Sequence, residues 1–514
     1  MSLYMQYLCI LTTFSIQLAS SISTHPLILI VSFDGFYYDY LNRGITPNLL
    51  QLRSEGVYSQ YMRNIFPTKT YPNHHSISTG LYAEQHGVID NHIFDVKTNE
   101  VFNYSKAMFL RDDVIPIYTL NELAGNGRYS GSMMWPGSDY QYKNNTITYF
   151  KKYQYGGSWN AKVDEVVGWF TNKDKPANLV MLYFDEPDGH GHMFGPNSPN
   201  ISTQIARCDA ITRYLLDQLD HVGLKEKINL FILSDHGMSK VQMRDIIDLS
   251  PWVNDTNAKF GGGSPTIEIF PNQGKEDEIY QMLSKAAAKL TTFQVFKKED
   301  MPERWHYKNN ERTPPILALA NVDYAFKDIW DEIKWFEKYN VTVTPDSTIG
   351  LHGYDNTDGA SPMYPIFLAS GPLLKKSTRV DPFENIHLFS LWCQMLKLDP
   401  PTAPNLVTPG SLRSVEHLLA DNSGSGTSTA PYLATVLLVV VILGSVIFIL
   451  VIYENFGGLI RLRELISPIT RSRNSQSSRR DTTQYRPLSE LAEESEESPE
   501  ESDNRTSSAR TPRV

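Results

Sequence analysis

The sequence predicts an α/β protein: a mostly parallel central sheet with helices on both faces, followed by one C-terminal transmembrane helix. Three observations carry this. Short continuous apolar runs, too brief for helices, recur through the first four hundred residues; helical patterns lie between them; and one long uncharged run sits near the C-terminus. Composition agrees. Of 514 residues, 41% are hydrophobic and 20% charged, which excludes a largely disordered or collagen-like chain. Lys and Arg number 47 against 57 Asp and Glu, a net charge of −10. Such a chain has no field to attract a nucleic-acid polymer, so any anion it binds must meet local positive charge, such as a metal. Three cysteines exclude a disulfide-dense scaffold and a Cys-rich zinc module.

Taken in order, residues 1–23 read as a signal peptide: an apolar stretch, Leu8 to Leu18, then the small residues Ala19-Ser-Ser21, although no Lys or Arg precedes the stretch. Residues 24–405 read as one large α/β domain. Leu27–Phe33, Leu179–Phe184 and Leu230–Ser234 are the buried parallel strands, with Ile366–Ser370 a fourth. Thr46–Glu55, Ala161–Thr171 and Ile201–Val222 are helical, and Gly261–Gly263 and Asn309–Pro315 are loops. Residues 406–431 form a stalk rich in Ser, Gly and Thr. Tyr432–Tyr453 is the transmembrane helix: 22 uncharged residues, about 33 Å of helix against a hydrocarbon core of about 30 Å. Six arginines between Arg461 and Arg480 follow it, whereas the stalk residues 419–431 carry no Lys or Arg. The positive-inside bias therefore places residues 454–514, a disordered tail, in the cytoplasm, and the large domain outside. The expectation is a single-pass type I protein of the plasma membrane. Five glycosylation sequons in the expected outer part, at Asn103, Asn144, Asn200, Asn254 and Asn340, agree with N-glycans on an external face. Cys9 leaves with the signal, and whether Cys208 and Cys393 pair stays open.

The polar residues collect where strands end. The first strand runs into Asp34, the second is followed by Asp188, and the third runs into Asp235-His236. Ligands of open α/β sheets bind beyond the carboxyl ends of the strands. A single Asp there is often a cap or turn residue; three, two of them with His close by, point to a site. Asp188-Gly-His-Gly-His192 sets a carboxylate and an imidazole four apart, and His352 lies between glycines one and two residues away. Carboxylate oxygen with imidazole nitrogen suits Zn²⁺ better than Mg²⁺ or Ca²⁺, and two such sets predict two metals. Thr70, with Pro72 two residues on, is expected at a helix N-cap, with free N–H groups beside it for a phosphate. Its hydroxyl is a candidate nucleophile.

These residues resemble a known family. Ser32-Phe-Asp-Gly-Phe36, Pro67-Thr-Lys-Thr-Tyr-Pro-Asn-His74, His86-Gly-Val-Ile-Asp-Asn91, Glu186-Pro-Asp-Gly-His-Gly-His192, Ser234-Asp-His-Gly-Met238 and His352-Gly-Tyr-Asp-Asn356 are similar to motifs of the ectonucleotide pyrophosphatase/phosphodiesterases of the alkaline phosphatase superfamily. The match runs in family order over residues 27–400 and looks most like the short, membrane-anchored members of the type 4 and type 5 kind. It implies an alkaline-phosphatase-like fold, with residues 24–405 a phosphodiesterase catalytic domain. It implies one zinc held by Asp34, Thr70, Asp235 and His236, and a second by Asp188, His192 and His352. Thr70 would be the nucleophile, Asn91 would bind a phosphate oxygen, and Tyr71 and Tyr153 would sandwich a nucleotide base. His190 would be a bystander. Tyr37 departs from the family pattern, which often has Arg there, and most family disulfides are missing.

The function expected is therefore that of a cell-surface, zinc-dependent nucleotide pyrophosphatase/phosphodiesterase. It would hydrolyse extracellular nucleotides or dinucleoside polyphosphates to nucleoside 5′-monophosphates through a covalent threonyl intermediate. Two alternatives stand beside it: the same fold acting on a choline or lysophospholipid phosphodiester, and a non-catalytic surface receptor.

Overall fold

The computed structural model describes residues 22–356, 361–401, 409–421, 442–446 and 449. The central sheet has eight strands: β1 (Leu27–Phe33), β2 (Val57–Ser59), β3 (Ser130–Met133), β4 (Tyr149–Lys151), β5 (Leu179–Phe184), β6 (Ile228–Leu233), β7 (Phe367–Ser370) and β8 (Thr378–Val380). Their order is β8-β2-β7-β6-β1-β5-β3-β4. β1 pairs in parallel with both β5 and β6, and every residue of these three strands is buried. That two-sided burial is why they read as unbroken apolar runs. Alternate residues of β1 enter two separate cores. Leu27, Leu29 and Val31 pack on one face, and Ile28 and Ile30 on the other.

The helices cover both faces. They include α1 (Pro47–Glu55), α2 (Thr70–Thr79), α3 (Trp159–Phe170), α4 (Asp188–Phe194), α5 (Pro199–His221), α6 (Glu276–Leu290) and α7 (His387–Leu396). Cys208 of α5 belongs to one core and Cys393 of α7 to the other. Both are buried free thiols, which closes the question of their pairing.

Three expectations need correction. The run at 366–370 is a strand, but β7 lies antiparallel to both of its neighbours. An apolar run announces burial on both faces and carries no direction. Gly261–Gly263 is not a loop; it ends the strand Ala258–Gly263. That strand belongs to a second, antiparallel sheet, in the order Ala258–Gly263, Thr266–Pro271, Ile316–Ala320, Phe293–Lys297. Three glycines mask a strand because strand propensity resides in side chains. Thr70 is the first residue of α2, not its cap; Lys69 holds that position without a side-chain capping bond.

The chain forms two compact units, Met1–Asn422 and Ser423–Val514. Among the described residues no helix is long and apolar enough to cross a membrane. Of the expected span Tyr432–Tyr453, only 442–446 and 449 are described, and these are helical. The expected signal peptide (except residues 22–23), the tail 454–514 and most of the stalk also lie outside the described residues.

Candidate metal centre

The three adjacent strands β6, β1 and β5 deliver their C-terminal residues to one edge of the sheet. Asp34 follows β1, Asp235 and His236 follow β6, and Asp188 opens α4 just after β5. Gly35 makes the turn after β1 possible. Its φ of +67° suits a residue without Cβ, and a Cβ there would lie 2.9 Å from that of Asp188. α4 places Asp188 and His192 one turn apart, with His192 Nε2 3.4 Å from Asp188 Oδ1. His352 arrives from the strand Thr348–Leu351, whose Gly350 carbonyl accepts a hydrogen bond from His192. α2 contributes Thr70, whose Oγ1 is 3.2 Å from His236 Nε2.

All seven side chains expected to bind metal thus converge in one place, and their tautomers can be read. Nδ1 of His192, His352 and His236 lies 3.0, 3.0 and 2.8 Å from the carbonyl oxygens of Gly350, Thr68 and Gly237. A carbonyl only accepts, so each Nδ1 carries a hydrogen, and each ring presents a lone pair at Nε2 when it is neutral. His192 and His352 Nε2 face each other at 3.0 Å, both within 3.5 Å of Asp188 Oδ1. His236 Nε2 lies 3.2 Å from both Asp34 Oδ1 and Asp235 Oδ2. Asp34 Oδ1, Asp188 Oδ1 and Asp235 Oδ2 are buried without a hydrogen-bond partner. Lone pairs aimed at lone pairs in a buried site repel unless positive charge sits among them, so the donor set fits divalent metal ions.

The remaining residues face two cavities that meet at Thr70. The first, of about 460 Å³, is lined by Tyr71, Tyr153, Asn91, Asp34 and Asp188 among others. The second lies toward His352 and His192 and also includes Thr70 and Asn91. Asn91 Oδ1 accepts the Tyr71 N–H at 3.0 Å, so the Asn91 amide hydrogens are left to offer to the cavities it lines. This corrects the expectation of several free N–H groups at the start of α2. Tyr71 N–H is occupied and Pro72 has none. Tyr153 donates to Asp185 at 2.8 Å, and Tyr71 packs edge-on against Tyr104 and Phe109.

Comparison with known proteins shows the family of the chain. A family profile described as Type I phosphodiesterase / nucleotide pyrophosphatase matches residues 28–355. The chain belongs to that family. It is 35% identical over 468 residues to human ectonucleotide pyrophosphatase/phosphodiesterase family member 5, covering 85% of this chain and 91% of that one. Human bis(5′-adenosyl)-triphosphatase ENPP4 is 32% identical over 385 residues, covering 74% and 80%. Among solved structures, an inactive variant of mouse ENPP5 in complex with AMP superposes with a TM-score of 0.68 at 35% identity, covering 77% of this chain and all of that one. The family is one of hydrolytic nucleotide phosphodiesterases and pyrophosphatases that use metal.

The electrostatics of this cluster follow from burial. Burial pushes the Asp34 and Asp188 carboxyls up, and their neighbouring carboxylates Asp235 and Asp34 add to it. Burial acts the same way on Asp235, but His236 and His74 outweigh it and hold that carboxyl low. Burial pulls His236 down, yet Asp235 and Asp34 carry it up to about 10. Burial leaves His192 at about 4 and His352 well below the usual range, so these two rings are neutral. Without an ion, the carboxylates therefore gather a proton onto His236, in the place a metal cation would take.

Residues not anticipated from sequence complete the site. His74 Nδ1 lies 2.9 Å from the Thr70 carbonyl and 3.3 Å from Asp235 Oδ2, and its Nε2 is bonded to Ser32. Tyr183 donates to Asp34 at 2.5 Å. Tyr155, Trp335 and Tyr339 add to the wall of the aromatic cavity. His74 closes the quoted motif Pro67–His74, but its role is set by what it touches; the others lie in no quoted motif. His190 stands outside the cluster, bonded to Glu186 at 2.6 Å.

Proposed function

We propose that this chain is a cell-surface, zinc-dependent phosphodiesterase that hydrolyses extracellular nucleotides or dinucleoside polyphosphates to nucleoside 5′-monophosphates. The observation that carries the reading is the confrontation of imidazole lone pairs and buried carboxylates around Thr70 Oγ1. Asp34, Thr70, Asp235 and His236 would hold one Zn²⁺, and Asp188, His192 and His352 the other. Bound there, the pair would supply positive charge to the phosphate and lower the proton affinity of the Thr70 hydroxyl.

The chain's own groups then do the following. Tyr71 and Tyr153 flank the base, and Asn91 donates its amide hydrogens to a phosphate oxygen. Thr70 Oγ1 attacks phosphorus in line; the new P–O bond forms as the bond to the leaving oxygen breaks. Water hydrolyses the phosphothreonyl ester and restores the hydroxyl. The solved relative bound to AMP, a nucleoside 5′-monophosphate, supports the product class, and the ENPP4 name supports a dinucleoside polyphosphate substrate. For the cell-surface reading, all five sequon asparagines are exposed. Ile442, Leu443, Val446 and Ile449 are exposed apolar residues on a helical stretch, as a span facing lipid requires.

In the testing experiment, Thr70→Ala keeps its bound zinc and loses turnover of ATP and of a dinucleoside polyphosphate by at least about 10³-fold. Turnover as fast as the parent's would remove Thr70 as the nucleophile.

One observation favours a second reading. The aromatic cavity carries Asp185 and Glu186 with Lys152 as the sole Lys or Arg of its lining. Aromatic faces with carboxylates suit a quaternary ammonium, hence a choline phosphodiester. Tyr71→Ala should raise KM for nucleotides and spare a substrate without a base.

A further inference from the structure

Lys69 and Asp90 stand immediately before the two residues that meet the phosphate in the proposed reaction, Thr70 and Asn91. Their side chains form a buried ion pair, 5% and 0% exposed, with Lys69 Nζ at 2.9 and 2.8 Å from the two oxygens of Asp90. The third Nζ hydrogen goes to the Gly263 carbonyl at 2.7 Å. An ammonium has three hydrogens, and all three are thereby committed, so Lys69 has none to offer a substrate phosphate. Asp90 is equally committed. Besides Lys69 it accepts from the backbone of Asn91 at 2.7 Å and of His92 at 3.3 Å, and from Thr266 Oγ1 at 3.0 Å.

The same segment reaches the second set of metal-binding side chains. Thr68 accepts from His352 through its carbonyl, and its hydroxyl oxygen accepts from Gly353 N. A Cβ on Gly353 would lie 2.9 Å from the Lys69 Cε, so the lysine stem lies against the backbone just after His352. Gly263 and Thr266 come from the second sheet.

We infer that the Lys69–Asp90 pair is a positioning device, anchored on the second sheet, that fixes the Thr70 hydroxyl relative to the Asn91 amide. Lys69 is thus a positioning residue and contributes nothing to the leaving group. This rests on Thr70 and Asn91 acting as proposed above. A displacement of about 1 Å between reacting groups costs about 10²-fold in rate, which sets the scale of the effect.

The test compares Lys69→Met, Asp90→Asn, the double variant and Thr266→Val in the full-length, zinc-loaded protein. Three substrates differ in leaving group: ATP, a dinucleoside polyphosphate and a nitrophenyl ester of a nucleoside 5′-monophosphate. Lys69→Met is expected to lower kcat by about 10- to 100-fold with KM within about twofold, and by the same factor for all three. The double variant should lose no more than the worse single one, because the two residues act as a unit. Thr266→Val, which keeps the ion pair and removes one hydrogen bond to Asp90, should show a smaller loss, about 3-fold, again uniform. It also keeps the test decisive if the charge variants do not fold. A loss confined to the polyphosphates would mean that Lys69 touches the leaving phosphate and would overturn the inference. So would an unchanged kcat in Thr266→Val, or multiplying losses in the double variant. Thr70→Ala separates the two layers: if it remains active, the reading of the nucleophile fails, whatever the Lys69 variants do.

Discussion

Three imidazoles in the site are each steered by a backbone carbonyl at Nδ1, so that Nε2 must face the centre. The arrangement has a measurable consequence. In the ion-free protein His236 carries a proton up to about pH 10. A metal entering at neutral pH must expel that proton, so apparent affinity should rise with pH from 7 toward 10. Calorimetric titration of the apoprotein with Zn²⁺ at pH 7.5, in two buffers of different ionisation enthalpy, should report a net release of protons. No proton released would mean that His236 is not displaced. At this scale much was legible in the sequence: seven side chains from five stretches meet in one place. His74, Tyr183 and Lys69 were less legible. Their roles come from what they touch across the fold, such as the Tyr183 bond to Asp34, 149 residues away.

Among the elements, α4 and the strand Thr348–Leu351 are held at backbone contact. A Cβ on Gly350 would lie 2.3 Å from the Gly191 carbonyl oxygen, an approach that only glycine permits. Gly350→Ala should therefore push the strand from α4 and separate His192 from His352. Metal analysis after dialysis should show one zinc lost and turnover lowered by about 100-fold. Two retained zincs with full activity would show that the contact can yield. α2 carries a different liability. His75 is fully buried, with neither ring nitrogen hydrogen-bonded, beside His86, Phe109 and Tyr142. Burial lowers its pKa to about 3. The unfolded chain takes up a proton near pH 6.5 and the folded chain only near 3, so below 6.5 unfolding binds a proton. Stability falls as pH drops through that window. His75→Leu should flatten the acid limb of denaturant midpoint against pH by up to about 1.4 kcal/mol per pH unit. An unchanged slope would place the acid sensitivity elsewhere. The three central strands could be read because burial on both faces leaves only apolar residues. The direction of β7 could not, since pairing sense depends on the connection rather than on the strand. The second sheet was hidden by Gly261–Gly263, where close packing against Phe94 and Glu268 has removed the side chains that mark a strand.

For the molecule as a whole, several elements meet at the candidate site: the central strands end at Asp34 and at Asp235-His236, α4 and the strand Thr348–Leu351 bring Asp188, His192 and His352, and the second sheet accepts a hydrogen bond from Lys69 through Gly263. Divalent ions in this cluster should then stabilise the fold that surrounds it. Each ion at 1,000 times its Kd contributes about 4 kcal/mol, so chelation should lower the unfolding temperature by several degrees and zinc should restore it. An unfolding temperature indifferent to chelator would argue against resident ions. The central claim, two zinc ions beside one threonine hydroxyl, is tested most directly by anomalous X-ray scattering at the zinc edge from crystals of active protein. The account predicts two peaks within the seven-residue cluster, one of them against Thr70 Oγ1. No peak, or zinc bound only away from that hydroxyl, would contradict it.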